Sequence, residues 1–124
     1  MLPTLEQIRT ISVIGAGTMG HGIAQVAAMT GAEVRLYDAL SGAARAGIDR
    51  ISKNLAKGVE LGKVSAAARD AALARLSAVE DLGAACAGVD CVIEAVPEQL
   101  DLKREIFEAA DHNAPRALLA TNTS

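Results

Sequence analysis

Val13-Ile14-Gly15-Ala16-Gly17-Thr18-Met19-Gly20 runs from an apolar, β-branched segment directly into three glycines spaced G-x-G-x-x-G. Upstream, Ile11, Val13 and Ile14 give Arg9 to Ile14 the character of a short strand that stops at Gly15 and belongs centrally in a sheet. Downstream, Ile23, Val26, Ala27 and Met29 recur at helical spacing from Thr18 to Thr30, and Gly31 supplies the stop. Strand, glycine turn and helix in this order open a Rossmann-type α/β domain.

Each glycine has a separate task in such a turn. Gly15 permits the tight strand-to-helix reversal, Gly17 lets backbone approach a pyrophosphate with no side chain between, and Gly20 allows the helix to pack closely on the strand. The N–H groups at the helix start, where Thr18 and Met19 stand, then meet the phosphates together with the positive end of the helix dipole. Taken alone, the glycine pattern also fits a plain turn without a ligand. Its context adds Asp38, about twenty residues further on at the end of the next strand, where an acid accepts hydrogen bonds from the ribose hydroxyls. The other reading of Asp38 is a helix cap or turn acid. As a ribose acid it favours NAD, because the 2′-phosphate of NADP would bring like charges together and Ala39 and Leu40 offer no arginine to receive it.

The rest of the chain alternates strands and helices. Glu33 to Asp38 reads as a second strand. Ser41 to Leu76 reads as two helices joined by a turn, with Ala44, Ile48, Ile51 and Leu55 on one face and Leu73 and Leu76 on another. This exceeds the dozen or so residues that a crossover needs, so a projecting helical hairpin is expected between strands 2 and 3. A short third strand lies around Val79, a short helix over Asp81 to Ala87, and a fourth strand over Asp90 to Val96. An amphipathic helix from Leu100 to Asn113 turns Leu102, Ile106, Phe107 and Ala110 to one side, and Ala117 to Ala120 gives a fifth strand. The fold is a doubly wound, parallel α/β sheet of order 3-2-1-4-5.

With 124 residues, 51% hydrophobic and 2% aromatic, the chain has one domain's worth of core, filled by Val, Ile, Leu and Ala. A formal net charge of −3 argues against nucleic acid, and no run reaches the roughly 18 apolar residues of a membrane span, so a cytoplasmic protein is expected. Cys86 and Cys91 lack the spacing of a redox or metal pair and read as core residues, and no metal is expected. His21, in the first helix, and His112, near the end of a later one, read as structural or solvated.

The fourth strand ends in Val92-Ile93-Glu94-Ala95-Val96-Pro97-Glu98, which brings carboxylates to the carboxyl edge of the sheet. Glu94 is expected to hold a buried partner or a sheet-end contact. Glu98 and Lys103 flank the next helix, within reach either of a cofactor or of one another as a surface ion pair. With the glycine block and the closing Ala120-Thr121-Asn122-Thr123-Ser124, this resembles the N-terminal domain of the 3-hydroxyacyl-CoA dehydrogenase family over nearly the whole chain.

The resemblance implies oxidation of an L-3-hydroxyacyl-CoA, for example 3-hydroxybutyryl-CoA, to the 3-oxoacyl-CoA with NAD as hydride acceptor, as in fatty acid β-oxidation. It implies that Asp38 is the adenine-ribose acid, that Glu98 and Lys103 contact the cofactor, and that Ser124 stands near nicotinamide and substrate. It also implies that the hairpin helps hold coenzyme A. Asn54, Lys57 and Lys63 are candidates there, as are Arg45, Arg50 and Lys53, although the interleaved Asp49 and Glu60 suit a merely solvated face equally well. The family's catalytic histidine lies in a motif beyond the fifth strand that neither His21 nor His112 matches, and a C-terminal helical domain closes the substrate cleft and makes the homodimer. Residues 1–124 are accordingly expected to be an NAD-binding domain, incomplete for catalysis. The competing readings are an NAD-dependent dehydrogenase of another hydroxy acid or sugar acid, and a non-catalytic NAD-sensing module.

Overall fold

The computed structural model describes residues 8–96 and 100–121. Its elements run β1 Thr10–Ile14, α1 Thr18–Met29, β2 Glu33–Tyr37, α2 Ala43–Glu60, α3 Ala66–Ala74, β3 Leu76–Val79, α4 Leu82–Cys86, β4 Cys91–Glu94, α5 Leu100–Asn113 and β5 Leu118–Thr121. The five strands form one parallel sheet of order β3-β2-β1-β4-β5, the order expected of a Rossmann-type domain. β1 lies in the middle, with Val13 beside Leu36 of β2 on one flank and Ile93 of β4 on the other.

Side-chain alternation along the strands divides the core into two layers. Val13, Val34 and Leu36 face α1, α2 and α3, where Ala24, Ala27, Ala28, Ala44 and Ala72 are buried and keep the helices close to the sheet. Ile14 and Val92 face α4 and α5, against Ala85, Cys86, Ile106 and Ala110. Small side chains thus replace the missing aromatics. Ile51 and Leu55, essentially buried, each contribute roughly 1.5–3 kcal/mol of burial.

Polar side chains fix the element ends. Ser65 accepts a hydrogen bond from the Ala68 N–H at the start of α3, and Asp81 from the Ala84 N–H at the start of α4. Arg35 donates to the Ala84 and Ala87 carbonyls at the end of α4, and Arg75 to the Ala28 carbonyl at the end of α1. The Asp90 carboxylate accepts from the Arg9 and Thr10 N–H groups and ties β4 to the start of β1.

Several expectations need correction. Leu76 belongs to β3 rather than to a helix: α3 ends at Ala74, and Leu76 pairs with Val34, so strand pairing overrides the helical spacing of Leu73 and Leu76. The hairpin does not project as a whole, because Ile51, Leu55 and Ala72 are part of the core, while its outer face and the connecting residues Leu61 to Lys63 are exposed. Phe107 was expected on the buried side of α5 yet is 37% exposed, since the stripe that meets the sheet is narrow and centred on Ile106 and Ala110. β4 closes at Glu94, whose carboxylate folds over to accept from the Val96 N–H at 2.8 Å. Among the described residues no helix is long and apolar enough to cross a membrane, and no cluster of metal-ligating side chains occurs. Cys86 and Cys91 are buried free thiols, and burial is the leading cause that raises the pKa of each.

Candidate functional site

The three glycines are required for three different reasons. Gly15 has φ +112°, and a Cβ there would lie 2.6 Å from the Ala95 carbonyl oxygen, so both its backbone angle and the close approach of the β4 end exclude a side chain. A Cβ on Gly20 would run into the Gly15 carbonyl oxygen, which sets how closely α1 seats on the turn. Gly17 differs. Its φ of −70° suits any residue, and a Cβ would meet nothing within 4 Å. The fold gives no reason for glycine at this position, whereas a ligand occupying that open space does.

The same space lies at the start of α1. No side chain caps this helix, and its first turn holds no acid. The Gly15 N–H donates to the Tyr37 carbonyl at 2.7 Å and the Ala16 N–H to Asp38 Oδ2 at 2.8 Å. Among the described residues, nothing accepts from the N–H groups of Gly17, Thr18 and Met19, which stand exposed on the turn. His21 lays its ring Nδ1 2.8 Å from the Gly17 carbonyl oxygen, so the ring belongs to the turn, in keeping with the structural reading.

Asp38 stands just past β2 at the mouth of a cleft of about 440 Å³ lined by Ala16, Gly17, Leu40, Ala43, Gly47 and Arg50 among others. Both readings of this acid meet here. Oδ2 takes the Ala16 N–H and Oδ1 the Leu40 N–H, each at 2.8 Å, so the carboxylate holds two turns together. An ionised carboxylate has about four lone-pair directions, which leaves two for hydroxyl donors entering the cleft. Backbone N–H groups for phosphates, open space at Gly17 and a partly satisfied carboxylate for ribose fit a dinucleotide. Beside the acid, the Tyr37 phenol is pushed above its ordinary pKa, first by burial and then by Asp38 and Asp81, and stays neutral.

At the other end of the carboxyl edge, Glu94 is fully buried and its Oε1 lies 3.8 Å from Lys103 Nζ, itself largely covered. Lys103 is thereby held against the end of β4, which is the buried partner expected for Glu94. Glu98 and Ser124 lie outside the described residues. Of the coenzyme A candidates, Asn54 donates from Nδ2 to Gln25 Oε1 of α1 at 3.2 Å, and Lys57 and Lys63 are exposed at the far end of α2 and in the turn after it. None of the three lines the cleft at Asp38. Arg50 does, apart from the other cations it was grouped with, and so does Gly47. Sequence reasoning missed both roles; a glycine on the buried face of an otherwise regular helix was the one available signal.

Residues 10–124 match the family described as "3-hydroxyacyl-CoA dehydrogenase, NAD binding domain". The chain is 44% identical over 118 residues to a protein of Escherichia coli (strain K12) named 3-hydroxyadipyl-CoA dehydrogenase, covering 94% of this chain and 25% of that protein. It is 42% identical over 119 residues to a Bacillus subtilis (strain 168) protein named probable 3-hydroxybutyryl-CoA dehydrogenase, covering 95% and 41%. The crystal structure of 3-hydroxybutyryl-CoA dehydrogenase from Escherichia coli K12 superposes with a TM-score of 0.87 at 43% identity, covering 94% of this chain and 25% of that one. The chain thus spans well under half the length of these relatives. It belongs to the 3-hydroxyacyl-CoA dehydrogenase family, as an NAD-binding domain.

Proposed function

We propose that this chain forms the NAD site of an enzyme that oxidises an L-3-hydroxyacyl-CoA to the 3-oxoacyl-CoA, with β-oxidation in the cytoplasm as its setting. The observation that carries this reading is Gly17: a glycine that the fold itself does not require, facing open space between an uncapped helix start and a ribose-type carboxylate. The N–H groups of Gly17, Thr18 and Met19 bind the pyrophosphate, with Gly15 and Gly20 holding the turn in shape. Asp38 accepts from the ribose hydroxyls through its two remaining lone-pair directions and sets NAD above NADP. Bound NAD accepts the hydride from the substrate's carbinol carbon. Glu98, Lys103 and Ser124 are proposed toward the nicotinamide half by family resemblance, Lys103 being steadied by Glu94.

Asn54, Lys57 and Lys63 are proposed coenzyme A contacts, with Asn54 committed in part to Gln25. The relatives named above are all CoA-thioester dehydrogenases, which favours this substrate class over another hydroxy acid or a sensing module. A homodimer built through a further helical domain follows from the same resemblance. The 124 residues by themselves are expected to bind NAD without turnover. The proton of the substrate hydroxyl needs a base, worth typically ~10²–10⁴-fold, and the described histidine nearest the turn, His21, is bonded to Gly17.

The test pairs a calorimetric NAD titration with NADH formation from 3-hydroxybutyryl-CoA, run on the 124-residue chain and on any longer product of the same gene. Binding by both with turnover only by the longer protein is expected. Absence of NAD binding, or equal turnover by both, would contradict the proposal.

A further inference from the structure

We propose that Arg50 of α2, which lines the same cleft as Gly17 at the uncapped start of α1, is the cationic contact of the dinucleotide's pyrophosphate. This rests on the NAD-site reading above and assigns that site a residue outside the glycine turn. The placement follows from its neighbours on the helix. Residues three and four apart share a helix face. Three positions before Arg50, Gly47 lies against the glycine turn: a Cβ there would sit 3.3 Å from both the Ala16 Cβ and the Ala16 carbonyl oxygen, and 2.9 Å from Leu36 Cδ2. Four positions after it, Asn54 is hydrogen-bonded to Gln25 of α1. Arg50 is therefore bracketed by one contact to the turn and one to the helix that follows it, and it lines the cleft that Gly17 and Asp38 also line.

Charge gives the placement its meaning. The chain carries a formal net charge of −3, Asp38 adds a carboxylate to the cleft, and Arg50 is the one cation among the cleft's described lining residues. A pyrophosphate brings two negative charges that backbone N–H groups solvate without neutralising. Among the described residues Arg50 makes no ion pair, whereas Arg45 on the same helix lies 3.6 Å from Asp49. A guanidinium fork suits phosphate oxygens bidentately, which an ammonium does not. Because Asp38 holds the ribose end, the pyrophosphate, and not a 2′-phosphate or coenzyme A, is the anion assigned to it.

Arg50→Gln and Arg50→Lys test this in the 124-residue chain, with NAD, 2′,5′-ADP and coenzyme A titrated at several ionic strengths and the ligand-free thermal midpoint as control. Arg50→Gln should weaken NAD on the order of 10-fold and flatten its salt dependence, leaving the midpoint and coenzyme A unaffected, and Arg50→Lys should recover part of the loss. Unchanged NAD affinity overturns the proposal. So does a loss with the original salt dependence, which would mean packing, and so does a loss confined to 2′,5′-ADP or to coenzyme A. If the unsubstituted chain itself fails to bind NAD, the fault lies with the NAD-site reading and shows before any variant is compared.

Discussion

Replacing Gly17 by valine should separate binding from folding in a way few glycine substitutions do. The φ of −70° and ψ of −161° at this position are open to a β-branched residue, and the added side chain starts in space with no protein atom within 4 Å of its Cβ. Losing glycine at a helix N-cap costs a few tenths to about 1 kcal/mol, while the smaller entropy of the unfolded chain returns about 0.4–1 kcal/mol. The net change in stability should therefore stay within about 1 kcal/mol. Binding behaves otherwise, because the isopropyl group fills the volume in front of the Gly17, Thr18 and Met19 N–H groups. A hydrogen bond to a charged acceptor is worth about 1.5–3 kcal/mol, so displacing a phosphate from one or two of them costs roughly 2–5 kcal/mol, a loss on the order of 30-fold or more. Calorimetric titration with NAD beside a thermal melt reads both quantities. A folded Gly17→Val chain with undiminished NAD affinity would refute the reasoning, and so would one that fails to fold.

Gly20→Ala should do the opposite: its methyl meets the Gly15 carbonyl, the turn must open, and thermal denaturation should register a loss of about 3 kcal/mol or more. Asp38→Ala removes the acceptor of the Ala16 and Leu40 N–H groups, so a melt should show about 1–3 kcal/mol of destabilisation while competitive titration shows the preference for NAD over NADP narrowing. Cys86 and Cys91 have folded pKa values raised by burial; their stabilising effect is complete below the unfolded thiol value of about 8.5 and is lost as pH rises through the folded values. Melting midpoints should accordingly fall on the alkaline side of that value and not on the neutral side, and both thiols should resist a disulfide reagent until the chain unfolds.

The glycine turn was readable because backbone geometry there admits few residues. Gly15 needs a positive φ, Gly20 a bare α-carbon, and such demands leave a mark at single positions. The parallel sheet followed from the alternation of elements, and its strand order from the Rossmann-type glycine turn. What stayed hidden depends on distant partners. Leu76 continued a helical spacing until its pairing with Val34 made it a strand residue, and the placing of Ile51, Leu55 and Ala72 in the core turned an expected projection into a packed layer. Phe107 shows that periodicity marks a stripe without giving its width. For Asp38 the residue type allowed a ribose acid or a turn acid, and the carboxylate bonds two turns while keeping capacity for a ligand. Arg50 looked like one of five cations on a solvated helical hairpin; only the seating of Gly47 on Ala16 sets it apart.

The central claim is that the space at Gly17 and Asp38 receives NAD. A calorimetric titration of the 124-residue chain with NAD, repeated with NADP, measures this without any variant. The account predicts saturable binding of one NAD per chain and distinctly weaker binding of NADP, whose extra phosphate would face the Asp38 carboxylate. No heat of binding with NAD, or NADP bound as tightly as NAD, would contradict it.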